Sequence, residues 1–253
     1  MSFYEGRPLV LGHRGAREIA PENTLASFHA AKELGADGIE LDVMLSADGV
    51  PVVIHDSTVD RTTNGHGRVS EMTLAQLQVL DAGSYKGAAF AGEPIPTLEA
   101  VLDACGSLRI NIELKSHTPV SDGLETAVAA LIEARQLGPN IIISSFNPLS
   151  LWRMRRIAPN LRCALLYAAD LPIYLRRAWS APLLGLDAVH PHFTLVDEAY
   201  MRWARQKGYH VNVWTVNEPA EMARLLDLGV DALITDRPDV ARQLVDAHRQ
   251  RAR

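Results

Sequence analysis

Charged and imidazole side chains stand at the ends of short apolar runs in this chain. His13 and Arg14 follow Leu9-Val10-Leu11, and Glu40 and Asp42 alternate with Ile39 and Leu41. His55 closes Val52-Val53-Ile54, and Glu113 and Lys115 alternate with Ile112 and Leu114. In an extended strand, residues two apart share a face, so Glu40 with Asp42 and Glu113 with Lys115 each present their charges together. Three carboxylates converging from neighbouring strands repel one another unless protons or a cation separate them. A divalent ion resolves the repulsion. All-oxygen ligation favours a hard ion, Mg2+ or Ca2+, over zinc, and no Cys or His spacing marks a zinc site. Arg14 and Lys115 beside such an ion make a small, strongly positive spot whose natural ligand is phosphate. Histidines on opposite sides of that spot can act as general base and general acid in displacement at phosphorus, the acid protonating an alkoxide leaving group. Taken singly, each histidine reads as a structural hydrogen-bonder, and the acids with Lys115 as helix caps or ion pairs; the shared faces favour chemistry.

Such a constellation needs several strands ending at one place. Eight Val-, Ile- and Leu-rich runs, at 9–13, 37–43, 109–114, 140–144, 161–166, 187–190, 210–214 and 231–235, alternate with helix-like segments. That alternation predicts a parallel α/β architecture, and 253 residues match one (β/α)8 TIM barrel, with catalytic residues at the C-terminal strand ends. The whole chain, 1–253, is read as a single domain. Trp214, ending the seventh strand, is expected to turn its ring to the substrate. Helix starts are marked by Thr24 before Leu25, by Thr97 before Leu98 and by Pro238. Asn23 and Thr24 are read as a helix cap without a chemical role.

The run Val52-Val53-Ile54-His55 breaks the alternation, because only Ser46-Ala47-Asp48-Gly49 separates it from the second strand. A parallel crossover needs a dozen or more residues, so the run must fold back as an antiparallel hairpin that returns His55 to about the level of Glu40. Residues 57–95 are far longer than an ordinary loop. They form a small insertion between that hairpin and the second helix, at the barrel mouth, where long loops bind or cover substrates.

A net charge of -5 gives no reason to expect nucleic acid or an anionic membrane as the partner. No stretch has the length and hydropathy of a membrane span, so no stable insertion is expected. Cys105 and Cys163 lie in apolar segments and read as reduced core thiols, which suits the cytoplasm. The segment from Leu171 to Leu175, with Trp179, Leu183 and Leu184, reads as a barrel helix and its loop in preference to a lipid-touching or subunit-contact patch. His29, His66, His117, His190, His192, His210 and His248 have no comparable partners and read as surface or structural.

The motifs His13-Arg14-Gly15, Pro21-Glu22-Asn23-Thr24, Glu40-Leu41-Asp42, His55-Asp56, Arg61-Thr62-Thr63-Asn64-Gly65, Glu113-Leu114-Lys115 and Trp214-Thr215-Val216-Asn217 occur in an order and spacing that resembles the glycerophosphodiester phosphodiesterases of the cytosolic bacterial type. The match runs over most of the chain and is weakest from Leu171 to Phe193. By that resemblance Glu40, Asp42 and Glu113 are metal ligands, His13 and His55 are the acid and base as a pair, and Arg14 and Lys115 hold phosphate oxygens. The implied reaction is hydrolysis of a small glycerophosphodiester, such as glycerophosphocholine or glycerophosphoethanolamine, to an alcohol and sn-glycerol 3-phosphate, with the insertion on the glycerol side. Three alternatives compete. A related phospholipase would cleave lyso- or intact phospholipids through a cyclic phosphate; a Schiff-base enzyme would use Lys115 as nucleophile and have no use for the surrounding acids; a non-catalytic phosphodiester-binding barrel would have lost a ligand or base, and none is missing.

Overall fold

The computed structural model describes residues 3–116, 119–170 and 181–251. Its strands are β1 (Leu9–His13), β2 (Gly38–Leu45), β3 (Pro51–Val53), β4 (Arg109–Leu114), β5 (Ile141–Ser145), β6 (Arg162–Tyr167), β7 (Ala188–Pro191), β8 (His210–Val213) and β9 (Ala232–Thr235). Eight of them pair in parallel, and β1 bonds to both β2 and β9, so the sheet closes on itself. The fold is a (β/α)8 barrel. Its strands are buried on both faces, which is why they read as near-continuous apolar runs.

The described helices are α1 (Leu25–Glu33), α2 (Leu74–Gln78), α3 (Leu98–Cys105), α4 (Leu124–Ala134), α5 (Pro148–Ile157), α6 (Glu198–Lys207), α7 (Pro219–Leu228) and α8 (Pro238–Arg251). Thr24 and Thr97 cap α1 and α3 by accepting from Ser27 N and Ala100 N, and Pro238 opens α8, where its missing N–H costs nothing. The expected helix after β6 falls on 171–180, outside the described residues, as does Trp179; beyond it, Leu184 is buried and Leu183 exposed. Among the described residues, no helix is long and apolar enough to cross a membrane.

Apolar side chains fall into three clusters. The largest fills the layer between strands and helices. A second lies inside the barrel, where Leu9, Leu11, Ala164, Ala188 and Ala232 meet Phe3 and Tyr4 from the N-terminal segment. Tyr4 stacks on His210 with ring centroids 3.6 Å apart, and its hydroxyl accepts from Asn212 Nδ2 at 2.9 Å. Small residues on β6, β7 and β9 leave room for these rings, which close the lower end of the barrel. The third cluster joins the hairpin to the insertion through Val52, Ile54, Val59, Val69, Leu77 and Ile95.

Strand β3 runs antiparallel to β2, with Leu45 opposite Pro51 and Val43 opposite Val53. Ser46 Oγ accepts from Val50 N and donates to Asp48 Oδ1, and Gly49 takes φ 78°, the left-handed conformation that this tight turn demands. The Ile54 amide bonds the Asp42 carbonyl, so the chain delivers His55 beside the charged end of β2.

Candidate active site

Parallel register assembles the acids. His13 pairs with Glu40 across β1 and β2, and Asp42 pairs with Glu113 across β2 and β4. Ligand atoms of Glu40, Asp42 and Glu113 lie within 4.8 Å of one another, all three residues buried. Lys115 follows β4, and its Nζ stands 2.9 Å from Glu113 Oε1 and 3.3 Å from Asp42 Oδ1. Arg14 takes φ 54°, unusual for a non-glycine residue, and this turn aims its backbone N–H at Glu40 Oε2 (3.0 Å) while its guanidinium Nε lies 3.2 Å from Asp42 Oδ2.

Burial, then the nearby charges of Asp42 and Glu113, holds the Glu40 carboxyl well above the ordinary range. Burial likewise pushes Glu113 up to about 7 despite Lys115. Asp42 goes the other way: against burial, Lys115 and Arg14 keep it well below the usual carboxylate range. Two of the three acids are therefore short of positive charge, which fits a cation between them. A neutral oxygen adds to the donor set, because Asn111 Oδ1 on β4 is buried, lines the same cavity and has no hydrogen-bond partner. These residues could hold a metal ion.

Each histidine is anchored through Nδ1. His13 Nδ1 lies 2.7 Å from Asp236 Oδ1, just beyond β9, and its Nε2 is 4.0 Å from Glu40 Oε2. Asp236 is fixed in turn by Asn217 Nδ2, which donates to Oδ2 at 2.7 Å. His55 Nδ1 lies 2.6 Å from Asp56 Oδ1. Burial lowers the pKa of both rings; Asp236 partly offsets it for His13 and Asp42 for His55.

The cavity encloses about 110 Å³. His13, Arg14, Glu40, His55, Glu113 and Lys115 form its charged wall, and Phe146, Leu166, Trp214 and Ile234 an apolar one. The Trp214 ring stands edge-on to Phe146 at 5.5 Å and is held by a bond from Nε1 to the His190 carbonyl. All the residues singled out in the sequence meet here except Asp42, which sits behind the wall in contact with Arg14 and Lys115.

Asn23 corrects the reading that made it part of a helix cap. Thr24 alone caps α1. At φ 58° Asn23 turns inward, its Nδ2 donating to Asp42 Oδ2 at 2.8 Å and its Oδ1 accepting from the Asp42 amide at 3.3 Å. Asp236 was also missed, although the rule that points to polar strand ends would have found it after Ile234-Thr235. Asn111 carried no signal beyond being an amide in an apolar strand. Of the histidines read as surface or structural, His190 is fully buried on β7 with Nε2 bonded to Asn212, while His117 lies outside the described residues.

The model of the glycerophosphoryl diester phosphodiesterase family matches residues 13–240. The chain belongs to this family of hydrolases. A glycerophosphodiester phosphodiesterase of Caldanaerobacter subterraneus subsp. tengcongensis is 41% identical over 242 residues, covering 94% of this chain and 98% of its own. Among solved structures, an Oleispira antarctica phosphodiesterase in complex with the product sn-glycerol-3-phosphate is 32% identical with a TM-score of 0.87, covering 97% of this chain and 100% of its own. A glycerophosphodiester phosphodiesterase of Agrobacterium tumefaciens, also 32% identical, superposes with a TM-score of 0.78 over 94% of this chain and 100% of its own. Family membership spans the barrel from the first candidate histidine to α8, so the charged cavity lies wholly inside the matched region.

Proposed function

We propose that this protein hydrolyses glycerophosphodiesters to an alcohol and sn-glycerol 3-phosphate, with a divalent ion, Mg2+ or Ca2+, held by Glu40, Asp42 and Glu113. The observation that carries the reading is the junction of two Nδ1-anchored histidines, two cations and the carboxylates of Glu40 and Glu113 in one small cavity at the barrel mouth, with Asp42 converging on them from behind its wall. The product bound to the Oleispira relative supports the same substrate class. A bound ion supplies charge neutralisation and polarisation of the phosphoryl oxygens.

Arg14 and Lys115 take the phosphate oxygens, and their pairing with Asp42 and Glu113 keeps both heads aimed at the cavity before substrate arrives. His13 and His55 approach with Nε2, since Nδ1 of each is committed to an aspartate. Neutral imidazole suits a base and imidazolium an acid, so one ring takes the proton of the attacking group while the other protonates the departing alkoxide. Trp214, Phe146 and Leu166 give the substrate an apolar surface that excludes water from part of the cavity. Residues 1–253 act as one barrel domain, with 57–95 as its insertion at the mouth. A cytoplasmic setting fits the two free, buried cysteines.

The test is release of sn-glycerol 3-phosphate from glycerophosphocholine and glycerophosphoethanolamine, with EDTA and then with Mg2+ or Ca2+ restored. Release that stops with chelator and returns with metal supports the reading. Release that survives exhaustive chelation removes the metal from it, and no release under any metal removes the substrate class. Phosphorus NMR during turnover should show no glycerol cyclic phosphate; its accumulation would move the assignment to the cyclising phospholipase reaction.

A further inference from the structure

Glu22 and the stretch beginning at Arg61 have no part in the chemistry above, and Asp56 enters it only as the anchor of His55. The structure joins them. Arg61, in the insertion, donates from Nε to Asp56 Oδ2 at 2.6 Å, from Nη1 to Glu22 Oε2 at 3.0 Å and from Nη2 to Glu22 Oε1 at 2.7 Å. The other oxygen of Asp56 lies 2.6 Å from His55 Nδ1, and Glu22 Oε1 also accepts from Arg14 Nη1 at 2.7 Å. An unbroken line of charge-assisted contacts thus runs His55, Asp56, Arg61, Glu22, Arg14. The rest of the Arg61 motif folds its own turn: Thr63 Oγ1 donates to the Val59 carbonyl and accepts from Gly65 N, and Asn64 Oδ1 accepts from Asp81 N. Thr62 is buried beside Glu22, Asn23 and His55, and Arg61 reaches out of the turn to bond both carboxylates.

We propose that Arg61 is a positioning residue whose guanidinium, by bridging Asp56 and Glu22, sets the His55 ring and the Arg14 side chain together. The inference rests on the reading of His55 as an acid-base group and Arg14 as a phosphate ligand. Arg61 does not line the cavity and its side chain is 47% exposed, so it acts through its two carboxylates. A planar fork with five donors can occupy two carboxylates at fixed angles; an ammonium, a point charge with three rotatable donors, cannot reproduce that span. Its pair with Asp56 is half-exposed and its pair with Glu22 partly buried, so Arg61 also contributes to stability; its geometric role is read from the split between kcat and KM. The insertion thereby completes the barrel site at two points without touching substrate there.

Crossed variants test this on the metal-loaded full chain with glycerophosphocholine. Arg61→Gln, assayed well below its melting midpoint, should lower kcat about tenfold or more through His55 and raise KM severalfold through Arg14. In an Asp56→Asn background Arg61→Gln should change only KM, and in a Glu22→Gln background only kcat. Arg61→Lys should fail to restore at least one of the two parameters. The proposal is overturned if Arg61→Gln leaves both within twofold, if its full kcat loss persists in the Asp56→Asn background, or if Lys restores both. His55→Ala separates this from the underlying reading: undiminished turnover there removes the catalytic assignment itself, whereas a loss of about 10²-fold beside an inert Arg61→Gln removes only the bridge.

Discussion

At the scale of single residues, the two histidines differ in how firmly they are held. The anchor of His13, Asp236, is itself bonded by Asn217, whose Oδ1 accepts from the Asp236 amide at 2.9 Å; the anchor of His55 relies on Arg61. A carboxylate on Nδ1 fixes the tautomer that leaves Nε2 free for chemistry, and an amide in its place can donate to Nδ1 and reverse that tautomer. Asp236→Asn should therefore lower kcat by about 10²-fold or more while KM and fold stay near normal, as steady-state kinetics and circular dichroism would show. Glu22 yields a prediction about pH. Burial raises its pKa, but the bonds from Arg61 and Arg14 win and bring it from 4.5 to about 2. A depressed acid contributes stability that is present above its unfolded pKa and lost as pH falls through the folded one. The wild type should exceed Glu22→Gln in unfolding free energy by roughly 3 kcal/mol near neutrality, at 1.36 kcal/mol per pKa unit, and the gap should close between about pH 4.5 and 2 in urea titrations. A gap independent of pH would mean that lost packing, not charge, separates the two proteins. The acids, Lys115 and both histidines were legible in the sequence because strand-end position and period-two spacing are local properties. The roles of Asn23 and Arg61 were not, because their partners lie 19 and 39 residues away; Asp236 stands at a strand end as visibly as the others, but its pairing with His13, 223 residues away, exists only in the closed barrel.

Secondary structure was the more legible level. Each of the eight barrel strands begins and ends within two residues of its expected place, since parallel strands buried on both faces announce themselves as unbroken apolar runs. The hairpin followed from chain length alone, four residues being too few for a crossover, and its register places His55 within a residue of the expected level. What the pattern could not reveal was the docking of the insertion on the β1–α1 loop, where Tyr85 Oη accepts from Glu22 N, Lys86 Nζ donates to the Arg17 carbonyl and Glu93 accepts from Ala26 N. These are polar contacts from an irregular segment to a loop and to the first turn of α1, with no periodicity to read. The loop itself depends on Gly15, at φ 86°, where an added methyl would stand 2.6 Å from the Ser27 carbonyl carbon. Gly15→Ala combines left-handed strain with a backbone clash at the start of α1, and should destabilise the protein by more than about 1–3 kcal/mol, read from the shift in its denaturation midpoint.

Across the whole molecule the two ends of the barrel oppose each other in energy. The upper end gathers buried like charges, and burial followed by their mutual repulsion raises the pKa values of Glu40 and Glu113 and costs stability. The lower end is sealed by Phe3 and Tyr4, drawn beneath the strands by Arg109, whose guanidinium donates to the Phe3 and Glu5 carbonyls at 2.5 and 2.6 Å. Phe3 is 1% exposed and contributes a full aromatic side chain to the barrel interior, in an apolar cluster that reaches up to Ile234 and Trp214 of the cavity wall while Phe3 itself lines no part of the cavity. Truncating a buried phenylalanine typically costs about 3–5 kcal/mol, and here the void would open among Leu9, Leu11 and alanines that cannot expand to fill it. Phe3→Ala should accordingly lose a stability of that order in chemical denaturation, yet keep kcat and KM when assayed well below its melting temperature. Equal losses in stability and turnover would show instead that the lower seal sets the geometry of the upper cavity, and that the barrel transmits strain along its strands from one end to the other.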